Sequence, residues 1–481
     1  MSAPIFGNYI NGEWVEGELF ENRNPADTDD LVGLFVAGTE EDMARAVAAA
    51  EAALPGWAGT PGPVRGAYLY KVAEILESRL EQLAVEMTRE EGKTLPEARG
   101  EVRRSVNIFR YYAGEGSRLP GLVTPSERDR VHTFAIRRPI GVIGLITPWN
   151  FPSAIPAWKL APALVCGNTV VIKPASAAPL SAWRIVEACH EAGIPRGVVN
   201  FVAGSGGRLG RALIEAPALK AISFTGSCEI GRRLHEDASR RRLRIQLEMG
   251  GKNPTIVLAD CELGLAVENV VNGAFASTGQ KCTATSRAIV EEKIYDRFLD
   301  ALIERTQRYK VGNGLEPGVD MGPAVDQAQL ETDLRYIRIG TEEAGPPVFG
   351  GRRLTGPGYD KGYFVEPTIF AGVTPEMRIA QEEIFGPVLA VMKARDFDEA
   401  LEIANRVPFG LCASLQTTNL SRVFEYIHRM EAGLLTVNLP SAGVEYQLPF
   451  GGTKESSFGP KEQGPTALDF YTDFKTVYLR Y

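Results

Sequence analysis

The chain has 481 residues, of which 44% are hydrophobic and 23% charged, a composition typical of an ordinary globular protein. This length exceeds what one hydrophobic core usually supports, so two or three domains are expected. With 52 basic and 60 acidic residues the formal net charge is -8, which disfavours nucleic acid as a partner.

The six cysteines form no C-x-x-C pair, a pattern typical of a reducing compartment. Residues 1–11 lack a basic segment followed by an apolar one, and no stretch approaches the roughly 20 apolar residues that span a bilayer. A cytoplasmic location without membrane attachment is therefore expected. The four histidines are isolated, so no metal site is predicted.

The first predicted element is a largely helical region over 39–114. Near its end, apolar residues recur at spacings of four and three, which predicts one apolar helix face. The members of this face are Val102, Val106, Phe109 and Ala113. Core packing is the favoured interpretation of the face, and the lining of a substrate channel is the alternative. A linker rich in proline and charge is predicted at 120–139.

Short apolar runs then alternate with helix-sized segments. The runs are 142–147, 169–173, 198–202, 221–225 and 245–248. Runs of this length without polar alternation indicate strands buried on both faces, so the pattern predicts an α/β fold with a doubly wound parallel sheet. Ligands of such sheets gather at the carboxyl ends of the strands.

A second alternating region extends over 251–446. Its strand-like runs are 255–258, 288–290, 388–392 and 434–437. The tail, 468–481, is rich in aromatic and β-branched residues and is predicted to be a lone terminal strand. Such a strand exposes its edge, so a partner subunit is the expected cover.

Cys282 and Glu248 are the candidate reactive pair. Cys282 stands among small and polar neighbours in Gly-Gln-Lys-Cys-Thr-Ala-Thr-Ser-Arg at 279–287, a context that is not typical of a core residue. A thiolate there could act as a nucleophile. Glu248, which heads Glu-Met-Gly-Gly-Lys-Asn-Pro at 248–254, offers a carboxylate to pair with that thiol.

These motifs resemble those of the aldehyde dehydrogenase superfamily, which carries a nucleophilic cysteine in Gly-Gln-x-Cys and a glutamate in Glu-Leu-Gly-Gly-Lys. Met249 replaces the usual leucine. The resemblance runs from Ile-Asn-Gly-Glu-Trp at 10–14 to Pro-Phe-Gly-Gly-Thr-Lys at 449–454. It implies that Cys282 is the nucleophile and that Glu248 is the base.

Asn150 lies in Thr-Pro-Trp-Asn-Phe-Pro at 147–152, directly after a predicted strand. An amide at that place can donate N–H groups to an oxyanion, although Asn150 alone would be interpreted as a turn residue. In the resembled family the matching asparagine stabilises the oxyanion together with the backbone N–H of the nucleophile.

The resemblance also implies a domain organisation. A dinucleotide-binding domain would comprise 1–118 and 140–250, and a catalytic α/β domain would comprise 251–447. A small β element, formed by 119–139 and 465–481, would mediate oligomerisation. A homodimer or homotetramer is the expected assembly.

Two residues bear on the choice of cofactor. Lys173 ends a predicted strand and, as an alternative, could be an ordinary surface lysine; the resemblance implies that it contacts the adenosine ribose. NAD-preferring members often have glutamate where Ser176 stands. Glutamate would repel a 2′-phosphate, so Ser176 favours NADP over NAD, or the use of both.

The remaining cofactor residues are implied by the same resemblance. Gly226 and Ser227 lie between a strand and a helix, where free N–H groups would face the pyrophosphate. Glu383 would hold the nicotinamide ribose, Phe385 would support the nicotinamide ring, and Trp149 is a further candidate for cofactor binding. Each segment also has a plainer interpretation. Gly226 and Ser227 could form a glycine turn that binds nothing, and Glu383 and Phe385 could be an acidic helix end before a Gly-Pro turn.

The implied reaction oxidises an aldehyde to a carboxylic acid with NAD(P) through a thiohemiacetal and a thioester on the cysteine. Family members that pass the acyl group to coenzyme A usually lack the glutamate, so Glu248 favours hydrolysis to a free acid.

The chain is locally similar to α-ketoglutaric semialdehyde (2,5-dioxopentanoate) dehydrogenases. This similarity implies 2,5-dioxopentanoate as the substrate and 2-oxoglutarate as the product. Members that act on succinate semialdehyde carry an arginine where this chain has Trp158, so another cation would meet the carboxylate. Arg103 or Arg104 is the candidate. Phe151, Trp158 and Phe450 are predicted pocket walls, with core packing as the alternative.

Three other functions remain as alternatives. A broad-specificity or other semialdehyde dehydrogenase would use the same chemistry. A cysteine hydrolase would need a histidine base, and no histidine here has a recognisable context. A non-catalytic structural protein with the same fold would not need the nucleophile or the base, yet both are present.

Overall fold

The computed structural model describes residues 3–481, and fifteen α-helices and two short 3-10 helices lie in that range. In chain order the α-helices are α1 (Glu40–Gly59), α2 (Gly62–Ser78), α3 (Leu80–Glu91), α4 (Leu95–Glu115), α5 (Ala154–Val165), α6 (Leu180–Glu191), α7 (Gly206–Glu215), α8 (Cys228–Arg241), α9 (Leu263–Phe275), α10 (Tyr295–Gln307), α11 (Gln327–Ala344), α12 (Arg378–Gln381), α13 (Phe397–Asn405), α14 (Leu420–Arg429) and α15 (Ala467–Tyr471). The 3-10 helices are Ala276–Gly279 and Glu292–Ile294.

The same range contains 22 strands. In chain order they are β1 (Ile5–Phe6), β2 (Asn8–Ile10), β3 (Glu13–Val15), β4 (Leu19–Asn24), β5 (Asp27–Val36), β6 (Leu122–Thr124), β7 (Val131–Pro139), β8 (Val142–Ile146), β9 (Thr169–Lys173), β10 (Val199–Phe201), β11 (Leu219–Thr225), β12 (Arg244–Glu248), β13 (Asn253–Val257), β14 (Thr285–Glu291), β15 (Thr368–Phe370), β16 (Val388–Ala394), β17 (Phe409–Gly410), β18 (Cys412–Gln416), β19 (Leu434–Val437), β20 (Thr453–Lys454), β21 (Ser457–Phe458) and β22 (Thr472–Arg480).

The first large sheet has the strand order β21-β12-β11-β8-β9-β10-β2-β3, and its five central strands are parallel. Successive strand residues point to opposite faces, as the period of a strand requires. Val142 packs with α1, α7 and α8, whereas Ile143 packs with the helices of the other face. Both faces are covered by helices, which explains why these strands are continuous apolar runs.

The second large sheet has the order β15-β16-β14-β13-β18-β19 and is parallel throughout. Ile256 and Ile289 pack on one face, with α11, α13 and α14. Val257 and Val290 pack on the other, with α9 and α10. A second doubly covered parallel sheet thus follows the first along the chain.

The helical region predicted at 39–114 is confirmed as the four helices α1 to α4. All four members of its predicted apolar face are buried in α4, and they pack in the core. Core packing is therefore the correct interpretation of that face. The other side of α4 faces a cavity.

The predictions for 120–139 and for the tail need correction. Residues 120–139 hold β6 and β7, and the tail strand β22 pairs with β7 over its whole length. The tail is therefore an edge strand of a three-stranded antiparallel sheet, in the order β22-β7-β6, and is not a lone strand. Residues 473–476 and 478–480 of this strand are exposed, so both of its faces are largely open.

Within residues 3–481, no helix combines the length and the apolar character that crossing a membrane requires.

Candidate functional site

A first cavity lies where the strand order of the first sheet reverses. β8 and β11 are neighbours in the sheet, although β9 and β10 intervene in the chain. Ligands of doubly wound sheets bind in the crevice outside such a pair. The cavity here has a volume of about 230 Å³. Its walls include Trp149, Asn150, Gly226, Ser227, Cys282, Glu383 and Phe385.

A second cavity, of about 300 Å³, lies on the other side of the thiol. Its walls include Arg104, Phe151, Trp158, Lys281, Cys282 and Phe450. Cys282 thus lines both cavities. A thiol at this junction can react with a molecule in one cavity while a second molecule lies in the other.

The backbone before Cys282 is unusual. Ser277 and Thr278, in the short 3-10 helix, have φ values of 53° and 58°, which lie in the left-handed region that non-glycine residues rarely adopt. Asn253 Nδ2 donates a hydrogen bond to the carbonyl oxygen of Cys282 at 2.7 Å. The loop is therefore held in a strained conformation at the cavity junction, as is common at functional sites.

The surroundings of Cys282 favour the neutral thiol. Burial, and then the carboxylates of Glu248 and Glu383, raise the pKa of the thiol to about 12. The backbone N–H groups of Thr283 and Cys282 act in the opposite direction. A cation brought into the first cavity would favour the thiolate, because an opposite charge stabilises the charged form.

Asn150 is fixed against the loop that carries the thiol. Its side chain is buried, and Nδ2 donates to the carbonyl oxygen of Gln280 at 3.0 Å. Its own carbonyl oxygen accepts from Lys93 Nζ at 2.7 Å, and Lys93 also pairs with Glu101 at 2.6 Å. Asn150 and Cys282 both line the first cavity.

Glu248 ends β12 and is buried, but within residues 3–481 it does not line either cavity. Its Oε2 accepts a hydrogen bond from Ser457 Oγ at 2.5 Å. Burial, and then the charge of Glu462, hold the pKa of Glu248 well above its usual range, and Lys461 partly opposes this. The structure therefore brings Cys282 and Asn150 together and turns the Glu248 carboxylate toward Ser457.

Glu383 and the aromatic residues form one end of the first cavity. Glu383 Oε1 accepts from the backbone N–H of Gly251 at 2.9 Å, and burial raises its pKa to about 7. A Cβ atom at Gly250 would lie 2.0 Å from Glu383 Oε2, so any larger residue there would displace this carboxylate. Phe385 has a φ of 63° and meets Trp149 edge to face, with ring centroids 5.4 Å apart.

Gly226 and Ser227 connect β11 to α8, and Ser227 is the N-cap residue of α8. The first N–H groups of a helix and its dipole favour an anion such as a phosphate. The neighbouring Thr225 Oγ1 is buried and has no hydrogen-bond partner among residues 3–481, so this part of the cavity wall has a spare polar group.

Lys173 is the last residue of β9 and Ser176 follows that strand; both lie beyond the walls of the first cavity. Lys173 is 4% exposed, which excludes the surface-lysine alternative, and burial lowers its pKa to about 8. Its Nζ donates to Pro174 O, and Ser176 Oγ donates to Gly204 O, both at 2.8 Å. The ends of β12, β11, β8 and β9 span roughly 14 Å at the usual strand spacing. Hydrogen-bond donors, glycines and Glu383 lie along this edge, over a length that can hold a dinucleotide.

Phe151, Trp158 and Phe450 all line the second cavity, and the rings of Trp158 and Phe450 are 5.4 Å apart. Of the two candidate arginines, Arg104 lines this cavity. Arg103 lies elsewhere, since it is exposed on α4 and pairs with Glu77. Consecutive residues of a helix point about 100° apart, so only one of the two can face the cavity.

A buried ion pair beside Glu248 was not predicted from the sequence. Lys159 is fully buried in α5, and its Nζ donates to Ser223 Oγ at 2.7 Å and to Glu462. The one feature of the sequence that indicates such a pair is Lys159 itself, a single lysine in an otherwise apolar helix. Lys93 and Glu101, which fix Asn150, were also missed.

The part of the chain at 3–481 contains no group of three or more His, Cys, Asp or Glu arranged to hold a metal ion. In that same part, no histidine lines either cavity. His190 bonds to the hydroxyl of Tyr9 at 2.9 Å, and His132 stacks on Tyr481. The arrangement therefore offers the thiol no imidazole base of the kind that a cysteine hydrolase uses.

Comparison with known proteins identifies the family. The profile of the aldehyde dehydrogenase family matches residues 14–477. The chain is 50% identical to the α-ketoglutaric semialdehyde dehydrogenase of Bacillus subtilis, with 98% of each chain covered. It is 44% identical to the 2,5-dioxopentanoate dehydrogenase of Saccharolobus solfataricus, with 97% of this chain and 98% of that protein covered.

Solved structures agree with these sequence relationships. Betaine aldehyde dehydrogenase from Staphylococcus aureus, in complex with NAD+, superposes with a TM-score of 0.96 at 32% identity, covering 98% of this chain and 94% of that one. An NAD-dependent aldehyde dehydrogenase from Sinorhizobium meliloti gives 0.96 at 34% identity, covering 99% and 95%. The predicted fold class and the resemblance are both confirmed. The chain belongs to the aldehyde dehydrogenase family and is an NAD(P)-dependent oxidoreductase that converts an aldehyde to a carboxylic acid.

Proposed function

We propose that the protein oxidises 2,5-dioxopentanoate to 2-oxoglutarate and prefers NADP to NAD. The observation that carries the proposal is the position of Cys282 in the wall of both cavities, one at the ends of parallel strands and one with a cationic wall. The relatives from B. subtilis and S. solfataricus, which are named for this semialdehyde, support the choice of substrate.

In the first half of the reaction the thiolate of Cys282, its proton already lost to solvent, attacks the aldehyde carbon. A carbon–sulfur bond forms, and the carbonyl electron pair moves to the oxygen. Asn150 Nδ2 and the backbone N–H of Cys282 donate to that oxygen as its charge develops. Donors already fixed in a dry site are effective here, because they need no reorganisation.

The first cavity would hold the cofactor. Glu383 would accept hydrogen bonds from ribose hydroxyls, Phe385 and Trp149 would confine the nicotinamide, and Gly226 and Ser227 would lie against the phosphates. When bound there, the nicotinamide accepts the hydride that leaves the former aldehyde carbon. The cysteine is then acylated as a thioester.

In the second half, water attacks the thioester carbon and Glu248 accepts its proton. The carbon–sulfur bond breaks, and the carboxylic acid and the Cys282 thiolate result. For this step the Glu248 carboxylate turns from Ser457 toward Cys282 by rotation of its side chain. Glu248 then releases the accepted proton to solvent.

We further propose the domain organisation that the sequence implies. Residues 1–118 and 140–250 form the dinucleotide-binding domain, 251–447 the catalytic domain, and 119–139 with 465–481 the oligomerisation element. The sheet of β6, β7 and β22 supports the last assignment, because its exposed side chains include large apolar ones. These are Leu122, Val123, Ile136, Phe474, Tyr478 and Leu479. A homodimer or homotetramer follows.

The proposal is tested by steady-state kinetics of NADP reduction with 2,5-dioxopentanoate, beside NAD, succinate semialdehyde and a simple aliphatic aldehyde. The expected result is the highest kcat/KM with 2,5-dioxopentanoate and NADP, and 2-oxoglutarate as the product by mass spectrometry. A higher kcat/KM with the aliphatic aldehyde would overturn the substrate assignment, and a higher value with NAD would overturn the cofactor preference.

The cofactor preference is expected to reverse in the variant Ser176→Glu. The new carboxylate would lie close to the bound 2′-phosphate, and like charges about 4 Å apart repel by several kcal/mol at an intermediate dielectric. A fall of about 100-fold in kcat/KM with NADP is expected, with NAD changed by less than about threefold. Ser176→Ala serves as the control, since it adds no charge. Equal losses with both cofactors would contradict the placement of the 2′-phosphate.

A further inference from the structure

Three buried N–H donors around Arg104 lack partners. Within residues 3–481, no hydrogen-bond acceptor meets Arg104 Nε, Trp158 Nε1 or Gln463 Nε2. The three side chains are neighbours, because Arg104 Nη2 donates to Gln463 Oε1 at 3.0 Å and the guanidinium carbon lies 5.6 Å from the centroid of the Trp158 ring. A buried donor without an acceptor costs roughly 1–3 kcal/mol. Such a cluster therefore indicates an absent acceptor.

Two members of the cluster, Arg104 and Trp158, line the second cavity, the one on the substrate side of Cys282. Trp158 is 5% exposed, and burial lowers the pKa of Arg104, whose guanidinium remains charged near neutral pH. Arg104 Nη1 donates to the carbonyl oxygen of Val444, so both terminal nitrogens of the guanidinium have acceptors, whereas Nε has none.

The acidic residues of this cavity accept no hydrogen bond from Arg104, although the charge of Glu101 acts on it. Glu101 accepts from Lys93 and from the backbone N–H groups at the start of α5, at 2.6–3.0 Å. Glu97 accepts from Thr94 and Ser277 at 2.7–3.0 Å. Both carboxylates are therefore saturated by their own donors.

Lys281 is the other cation of the wall. Its Nζ donates to the carbonyl oxygen of Asn272 at 3.3 Å, and burial lowers its pKa to about 8. Lys281 therefore already has an acceptor, whereas the free donors lie at Arg104 and Trp158. The two nitrogens have almost no accessible surface, so a small movement of the Arg104 and Trp158 side chains would present their N–H groups to an anion that enters this cavity.

We propose that Arg104 Nε and Trp158 Nε1 bind the carboxylate of the substrate while its aldehyde carbon lies at Cys282. This subsite rests on the proposed function and adds to it the residues that select a carboxylated aldehyde. In extended 2,5-dioxopentanoate, the carboxyl carbon lies about 5 Å from the aldehyde carbon, as four carbon–carbon bonds of ordinary length allow. An arginine N–H and an indole N–H on one wall can meet the two oxygens of a carboxylate.

The test compares three five-carbon aldehydes in the wild type and in Arg104→Met. The aldehydes are 2,5-dioxopentanoate, 5-oxopentanoate, which lacks the ketone, and pentanal, which lacks the carboxylate. In Arg104→Met, kcat/KM is expected to fall about 100-fold for both carboxylated aldehydes, mainly through KM, and to stay within about threefold for pentanal. The inhibition constant of 2-oxoglutarate is expected to rise by the same factor, which reports binding apart from turnover.

Three further variants complete the test. Trp158→Phe removes only the N–H and is expected to lose about 10-fold in kcat/KM for the carboxylated aldehydes. It carries the test alone if Arg104→Met does not fold. Arg104→Lys is expected to recover part of the loss. Arg99→Met, on the exposed side of α4, is the control and is expected to match the wild type.

The outcomes separate the subsite from the proposed function. A wild-type enzyme that turns over pentanal as efficiently as 2,5-dioxopentanoate would refute the proposed function. A wild type that selects 2,5-dioxopentanoate, with Arg104→Met keeping that selectivity, would refute the subsite alone. Loss of selectivity in Lys281→Met, with Arg104→Met unaffected, would assign the carboxylate to Lys281 and overturn the proposal.

Discussion

The variant Cys282→Ala is expected to lose cofactor reduction with every aldehyde, by about 10⁵-fold or more, as is typical when a nucleophile is removed. Without the sulfur no thiohemiacetal forms, so the carbon never reaches the state from which it can release a hydride. NADP binding is expected to persist, because the first cavity retains Glu383, Phe385 and Trp149. The measurements are steady-state NADPH formation and quenching of tryptophan fluorescence by added NADP.

A second cysteine provides the matched control. Cys261 is also free and partly exposed, and burial raises its pKa to about 11, yet it lies at the end of the second sheet away from both cavities. Cys261→Ala is expected to keep full activity. If Cys261→Ala were inactive and Cys282→Ala active, the nucleophile would be misassigned.

The strands and the motifs at their ends were predictable from the sequence. The runs at 142–147 and 169–173 have apolar centres without polar alternation, because helices cover both faces of the sheet, and they match β8 and β9 closely. Once a strand is located, the polar residues directly after it must lie at the ligand-binding edge. Asn150 and Lys173 could therefore be predicted as ligand-binding residues from their positions after strands alone.

The choice between Arg103 and Arg104 was not predictable in the same way. The two are adjacent in sequence, and a helix separates their directions by about 100°. The sequence shows clearly which residues of α4 form its buried face. It does not show which side of that face borders the cavity, because this depends on α5 and on the distant loop at Val444. Only the tertiary structure supplies that information.

Long-range pairs account for the other omissions. Lys159 meets Glu462 across 303 positions of sequence, and Asn150 is fixed by Lys93 across 57. A lysine inside an apolar helix requires a buried counter-ion, since an unpaired buried charge is very costly, but the sequence does not name the partner. The residue pattern of the tail did not predict its pairing with β7, because β7 lies more than 300 positions earlier; only the family resemblance implied that the two segments form one β element.

The variant Glu248→Gln is expected to release one reduced cofactor per active site in a rapid burst and then turn over about 10²–10⁴-fold more slowly than the wild type. Glutamine cannot accept the proton of the attacking water, so the thioester accumulates after hydride transfer. Rapid mixing with NADP and aldehyde, followed by mass spectrometry of the acylated protein, measures both phases. Glu382→Gln is the control, since Glu382 bonds to Arg378 and Tyr336 outside the cavities.

The pH dependence of the wild type follows from the same carboxylate. Burial raises the pKa of Glu248 well above its usual range, with the charge of Glu462 adding to the shift. The base works only when deprotonated, so hydrolysis of the thioester is expected to slow as the pH falls through this raised value, well above the ordinary 4.5 of a glutamic acid. In Glu248→Gln the slow phase is expected to lose that acidic limb, while the burst keeps its own pH profile. A burst slowed as strongly as the steady state would instead assign Glu248 to a step before hydride transfer.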